Sequence, residues 1–355
     1  MDPVAGPVDS LEDLRRFIDV SPEEEEGVRS CQGRWGTTAH FAALMDRGDP
    51  DCPLRRQVVP STLENRQGEG VKDYLRTLES RRQDPGRPSN IARLYDDRVA
   101  FTVTNDCLSY CRHCFRRQIV FSSTPPKDWD LDTGIAWIRS RPEIRDVLVT
   151  GGDPLTLADD DLAHLLQRLR RIPQLEMLRI GTRAPVVAPE RITERLLRAL
   201  AGDHRVPIWL ITQCNHPKEI TKAMADAVLR LLKAGIPVLN QAVLLKGIND
   251  DPATFKELHL RLLSIRVKPY YLHHCEYAPG LDHFRTPLET GADLIRSCLR
   301  NHTTGLAEPI YVITTPIGKI PFRDLFYIQE NSPERTTLRD HQGRTWTIPP
   351  CQPGN

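Results

Sequence analysis

The sequence predicts an α/β protein, a partial (β/α)6 TIM-like barrel with an N-terminal helical extension and a C-terminal segment. Two observations carry this reading. Six short β-type runs alternate with stretches of helical period, which calls for a parallel sheet covered by helices. The residues with recognisable chemistry stand directly after those runs, where barrel strands present their active-site ends.

In chain order, residues 1–95 are rich in charge and proline and read as a mainly helical accessory region. Leu11 to Asp19 is one short helical stretch, and Ser21-Pro22-Glu23 opens another in capped form. The barrel occupies residues 96–300, with strands RVAFTVTN, RDVLVTGG, EMLRIGT, VPIWLITQ, IPVLNQAVLL and KPYYLHH. Between them Leu162, Leu165, Leu166 and Leu169 form one apolar stripe. Met224, Ala227, Val228, Leu231 and Leu232 form another, and both are suited to pack on a sheet. Gly235 stands where a helix C-cap glycine would, and Asp251-Pro252 reads as an N-cap followed by a first-turn proline. Residues 301–355 form the C-terminal segment, with a further strand-like run, PIYVITTP, and a polar tail expected to fold onto the barrel.

Composition narrows the partners. Lys and Arg total 48 against 47 Asp and Glu, a net charge of +1, so no whole-chain field attracts nucleic acid or an anionic membrane. A small-molecule substrate is expected. No apolar run approaches the ~20 residues of a membrane span, and MDPVAGPVDSLEDL lacks a signal-peptide layout, so a cytoplasmic protein is expected. The nine cysteines are an odd number and read as thiols or metal ligands rather than a disulfide framework.

Three of these cysteines stand close together. Cys107, Cys111 and Cys114 follow directly on the first barrel strand, in the loop NDCLSYCRHCFRR. Three thiolates on one tight loop can hold three irons of a [4Fe–4S] cluster and leave the fourth iron without a protein ligand. That iron can chelate the amino and carboxylate groups of S-adenosylmethionine, and a low-potential cluster can then cleave the sulfonium to a 5'-deoxyadenosyl radical. A zinc site completed by His113, or three unrelated core cysteines, are the alternative readings. An electron-carrier ferredoxin would want a fourth cysteine nearby.

Thr150-Gly151-Gly152-Asp153 ends the second strand. Successive glycines let a backbone approach a ligand closely. Beside the cysteine triad the four residues read as the contact for the amino group of S-adenosylmethionine, with Asp153 supplying charge or anchoring the turn. An ordinary turn is the alternative.

From Arg98 to Pro321 the chain resembles the lysine 2,3-aminomutase family of radical S-adenosylmethionine enzymes. The resemblance rests on DRVAFTVTNDCLSYCRHCFRR, VLVTGGDPL, RIGTRAPVV, NHPKEIT, NQAVLLKGIND, KPYYLHHCE and GLDHFRTP. It implies an incomplete barrel of the radical S-adenosylmethionine type, pyridoxal 5'-phosphate as a second cofactor, and migration of an amino group between the α and β carbons of an amino acid. Lys319, in TTPIGKIPF, matches the lysine that carries the coenzyme, although the family's longer glycine run is reduced here to Gly318. Arg98 and Gln241 match positions around the coenzyme phosphate, where a guanidinium and an amide can hold oxygens. Arg116 matches the arginine that grips the substrate α-carboxylate, a job suited to its fork; the alternative reading is that Arg112, Arg116 and Arg117 balance the cluster's charge.

For the substrate, the lysine enzymes place two aspartates on the distal ammonium. Glu276 and Thr314 stand at those positions here. One carboxylate with room beside it suits a planar guanidinium, so arginine is expected over lysine, and an acidic residue disfavours glutamate. The family's C-terminal zinc cysteines are reduced to Cys351, and Asp251 stands where its other zinc ligand would be, so no zinc is expected. A homodimer and an external electron donor such as flavodoxin or ferredoxin are expected. Cys31, Cys52, Cys214, Cys275 and Cys298 are expected as buried thiols. Two rival readings are a radical enzyme with the same cofactors that oxidises or desaturates a basic amino acid, and a non-catalytic iron–sulfur module.

Overall fold

The computed structural model describes residues 6–68, 70–75, 84, 86–122, 129–202, 205–322, 328–332, 336–339 and 343–348. Cys351 lies outside them.

The N-terminal layer carries strands β1 (Pro7–Val8) and β2 (Thr37–Thr38), which pair with each other. Around them stand helices α1 (Leu11–Phe17), α2 (Pro22–Arg29), α3 (Ala39–Ala42) and α4 (Pro53–Val58). The capped opening expected at Ser21 is present. Its hydroxyl accepts from the Glu24 N–H while the Glu24 carboxylate accepts from the Ser21 N–H, so two orphan donors of the first turn are satisfied.

A nine-stranded sheet follows. After β3 (Ile91–Ala92) come the six expected strands: β4 (Arg98–Thr104), β5 (Asp146–Gly151), β6 (Met177–Gly181), β7 (Ile208–Thr212), β8 (Val238–Leu244) and β9 (Lys268–His274). Each is parallel to the next. The PIYVITTP run joins them as β10 (Ile310–Thr315), parallel to β9, and turns back as β11 (Gly318–Pro321). Antiparallel β3 and β11 therefore close the two edges. The tail strands β12 (Ile328–Asn331), β13 (Thr336–Arg339) and β14 (Thr345–Ile348) form a separate antiparallel sheet.

Alternation along β4 gives the sheet one helix-covered face and one lined face. Val99, Phe101 and Val103 are buried under the helices, while Arg98, Ala100, Thr102 and Thr104 point the other way. The covering helices include α5 (Arg117–Val120), α6 (Leu131–Arg139), α7 (Asp159–Arg170), α8 (Ala184–Val187), α9 (Glu194–Ala201), α10 (Lys222–Lys233), α11 (Pro252–Ser264) and α12 (Glu289–Leu294). The leucine stripe of α7 is buried as expected, and so is that of α10 except Leu232, which is half-buried at its margin. Gly235 follows α10 with φ +74°, and Asp251 caps α11 through the N–H groups of Ala253 and Thr254. One apolar core runs from Leu14, Phe41 and Leu54 of the N-terminal layer into the barrel helices, so the two are packed as a unit. No helix among the described residues is long and apolar enough to cross a membrane.

Candidate active site

The cysteine loop leaves the C-terminal end of β4 and is clasped from outside by the N-terminal layer. The Tyr110 N–H donates to the Gly36 carbonyl at 2.9 Å and the Arg112 N–H to that of Gln57 at 2.7 Å. Arg112, 1% exposed, forks onto Glu64, with Nε to Oε1 at 2.8 Å and Nη2 to Oε2 at 2.5 Å; Arg117 joins the same carboxylate. Burial alone would raise the Glu64 carboxyl, but the Arg112 guanidinium holds it below its ordinary value. The accessory region thus fixes the loop that carries the thiols.

The three cysteines are half-buried and lie close enough for Cys114 and Cys111 to raise the proton affinity of Cys107, and for Cys111 to raise that of Cys114. Burial first, then the Cys114, Asp153 and Cys111 charges, pushes the Cys107 thiol well above its usual range, and burial with Cys111 lifts Cys114 to about 11. A site that resists thiolates so strongly is stabilised by cations that bind them, as irons do. Among the described residues no three His, Cys, Asp or Glu side chains are gathered tightly enough for a single metal ion. Thiols that hold separate corners of a cluster need no such convergence. His113 does not join them: its Nε2 lies 3.3 Å from the Asn215 amide nitrogen, and burial together with Arg183 lowers it to about 3. Cys52, Cys214, Cys275 and Cys298 are buried thiols as expected. Cys31 is not, being half-exposed beside Arg112, whose Nη2 reaches its sulfur at 3.4 Å.

The glycine pair has a physical reason that sequence did not show. Gly151 has φ +135°, and a Cβ there would lie 2.2 Å from the Thr104 carbonyl oxygen; at Gly152 it would lie 2.0 Å from that of Asp106. The pair makes room for the start of the cysteine loop, to which the Gly152 and Asp153 N–H groups donate. Asp153 anchors the turn: its carboxylate accepts from the Leu155 N–H, the Thr182 hydroxyl and the Arg183 N–H.

Deeper in the barrel, the hairpin β10–β11 sets Lys319 directly across from Thr314. Its backbone N–H donates to the Tyr95 hydroxyl at 2.8 Å, and its Nζ stands 4.9 Å from the Tyr271 ring centroid. Burial lowers the ammonium to about 8, helped by Arg179, Arg116 and Arg98 and opposed by Glu276. Arg98 stacks on Tyr95 at 3.7 Å and pairs with Asp97. Arg116 donates to the Thr150 hydroxyl at 2.7 Å and to the Gly151 carbonyl.

Glu276 follows β9 and is 9% exposed, with Oε2 lacking any partner among the described residues. Burial pushes its carboxyl up to about 7 against the pull of Thr314, Lys319 and Arg116. His273, a residue the sequence did not single out, bridges Thr314 (3.2 Å) and Gln241 (3.3 Å). Burial and Lys319 keep its imidazole neutral, at about 3. Arg116, Glu276, Thr314, Gln241, Arg98 and Lys319 are therefore one connected constellation, with Arg179, Tyr95 and His273 added to it. For Arg116, Glu276 and Thr314 a place at or past the C-terminal end of a strand was the signal available beforehand, whereas Gln241 and Arg179 stand mid-strand.

A model of the Radical SAM superfamily matches residues 101–258, the stretch that holds the cysteine loop and the first five parallel strands. Over the whole length the likeness is closer. The L-lysine 2,3-aminomutase of Clostridium subterminale is 39% identical over 347 residues, covering 96% of this chain and 81% of that protein. The Bacillus subtilis enzyme of the same name is 41% identical over 351 residues, covering 96% and 72%. The chain belongs to the lysine 2,3-aminomutase family. The chain is also similar to the glutamate 2,3-aminomutase of Clostridioides difficile, 35% identical over 343 residues and covering 95% of this chain and 79% of that protein. As a radical S-adenosylmethionine protein, this member of the lysine 2,3-aminomutase family carries a [4Fe–4S] cluster and uses S-adenosylmethionine.

Proposed function

We propose that the protein moves the α-amino group of a basic amino acid to the β carbon, with arginine favoured over lysine, and that pyridoxal 5'-phosphate attached at Lys319 is its second cofactor. The observation that carries this reading is the Oε2 of buried Glu276, which has no partner among the described residues and stands in the same constellation as Lys319 and Arg116. A buried carboxylate oxygen without a donor costs about 1–3 kcal/mol or more until a ligand supplies one. A guanidinium offers two parallel N–H bonds to it, and Thr314 beside it adds a hydroxyl.

Each neighbouring residue has a stated task. Arg116 grips the α-carboxylate and is itself held by Thr150 and Gly151, which fixes the reacting carbons relative to the cysteine loop. Lys319, lowered to about 8, has a larger neutral share near neutral pH than an ordinary lysine, and that share can attack an aldehyde. Arg98 and Gln241 would hold the coenzyme phosphate. When bound, pyridoxal phosphate supplies a π-system that spreads unpaired electron density, and S-adenosylmethionine at the cluster supplies the hydrogen-abstracting radical. Cys107, Cys111 and Cys114 hold the cluster, with the Thr150-Gly151-Gly152-Asp153 turn beside them for the amino group of S-adenosylmethionine.

The test is anaerobic reconstitution followed by incubation with S-adenosylmethionine, pyridoxal phosphate and, separately, arginine, lysine or glutamate. The expected product is a β-amino acid of unchanged mass from arginine, less from lysine and none from glutamate. A product lighter by about two mass units, two lost hydrogens, would point to desaturation instead. Turnover that survives Glu276→Gln with unchanged KM for arginine removes the basis for the substrate assignment.

A further inference from the structure

Arg183 lies just past β6, in the turn that Asp153 anchors, and its guanidinium is buried. Nη1 donates to the Cys111 sulfur at 2.8 Å. Nη2 donates to Gln57 Oε1 at 2.7 Å and to Glu219 Oε2 at 2.8 Å. The ring of Phe41 covers the guanidinium carbon at 5.0 Å. Glu219 is fully buried, and its other oxygen accepts from Gln57 and from the Asn215 and His216 N–H groups. Both terminal nitrogens of the fork are thus engaged, Nη2 by Gln57 and Glu219 and Nη1 by the sulfur, while the buried Nε has no partner among the described residues.

We infer that Arg183 is a positioning and tuning residue for the cluster: a fixed, buried cation whose N–H···S bond to Cys111 raises the cluster's reduction potential and ties that ligand to the N-terminal layer through Gln57. The physical reason is charge. Reduction adds one electron to an already anionic iron–thiolate unit, and a donor cation in a low-dielectric setting favours the more negative state. Hydrogen bonds to cluster sulfurs are among the levers that set such potentials, and outer-shell partners of this kind also orient the ligand. Glu219 has the opposite influence. It neutralises part of the arginine's field but bonds Nη2, not the Nη1 that reaches the sulfur, so the Nη1–H remains directed at Cys111. The N-terminal layer therefore does more than cover the barrel, since Gln57 and Phe41 hold the tuning group.

The inference rests on the cluster assignment to Cys111, and the measurement separates the two. The full-length chain is reconstituted anaerobically, iron is counted per chain, and the cluster's midpoint potential is titrated with the reduced state followed by electron paramagnetic resonance. Arg183→Gln is expected to bind the same iron at a more negative potential, and Arg183→Lys to lie between it and wild type. Equal potentials in all three, with equal iron, would overturn the inference. Absence of any cluster in wild type would instead defeat the cluster assignment itself. Should Arg183→Gln fail to fold or load, hyperfine spectroscopy on reduced wild-type protein with 15N-labelled arginine decides: a coupled guanidinium nitrogen is expected, and its absence overturns the inference.

Discussion

The backbone N–H of Lys319 donates to the hydroxyl of Tyr95 across 224 residues of sequence. Tyr95 sits between β3 and β4 at one edge of the large sheet, and Lys319 is on β11 at the other. A single side chain thus bridges the two ends of an open barrel at the point where the candidate coenzyme lysine emerges. Tyr95→Phe should cost about 1 kcal/mol locally, the net worth of one hydrogen bond. Amide hydrogen exchange at residues 318–320 should quicken and pyridoxal phosphate affinity should fall, while iron content stays the same. Unchanged exchange at Lys319 would show that the bridge does not hold the hairpin.

Lys319 also predicts a pH dependence. Its ammonium is lowered to about 8 in the folded chain, so between about 8 and the unfolded value near 10.4 the unfolded state binds more protons. Stability of the cofactor-free protein should therefore rise with pH across that window, and Lys319→Met should flatten the rise. The same variant should lose the absorbance of lysine-bound pyridoxal phosphate. If the two proteins show parallel stability profiles from pH 7 to 10, the buried-lysine reading is wrong.

What the sequence disclosed, and what it withheld, follows from range. The strands were legible because Val99, Phe101 and Val103 alternate with residues of the lined face within seven positions. The cysteine loop was legible because its three thiols lie within eight consecutive residues, Cys107 to Cys114. Tyr95, His273 and Arg183 were not, since each acquires its role from a partner on a distant strand or in the N-terminal layer. The glycine pair was noticed for the right strand end. Its cause, the carbonyls of Thr104 and Asp106, depends on how β4 lies against β5.

Gly152 provides a sharp packing test. A methyl group there would meet the Asp106 carbonyl oxygen at 2.0 Å, a backbone atom that cannot rotate aside. Gly152→Ala should displace the first residues of the cysteine loop and reduce iron incorporation, with far-ultraviolet circular dichroism near wild type. Full iron loading by this variant would mean the loop has more freedom than its contacts suggest.

The clasp on the same loop is electrostatic. Glu64 accepts from both Arg112 and Arg117 with its side chain 4% exposed, so Glu64→Gln leaves the buried Arg112 and the half-buried Arg117 without their counter-ion. Breaking a buried pair from one side costs on the order of 3–5 kcal/mol. Chemical denaturation should show a loss of that order, and the cluster should become more sensitive to chelators. A variant as stable as wild type would show that solvent reaches these arginines.

Glu276 carries the strongest prediction about the substrate end, because its cost is visible without any substrate. Its carboxyl is raised to about 7 by burial, so folding is penalised once the pH exceeds the unfolded value near 4.5, and the penalty is complete above about 7. Glu276→Gln stays neutral throughout. The cofactor-free variant should match wild type at pH 4 and be more stable at pH 8, by up to about 3 kcal/mol if the whole shift is expressed. A ligand that brings a cation to Oε2 should close that gap, so arginine is expected to raise the melting temperature of wild type at pH 8 more than that of the variant. A variant less stable than wild type at pH 8 would show that Glu276 already has a protein partner, and the site would then have no vacancy for a guanidinium.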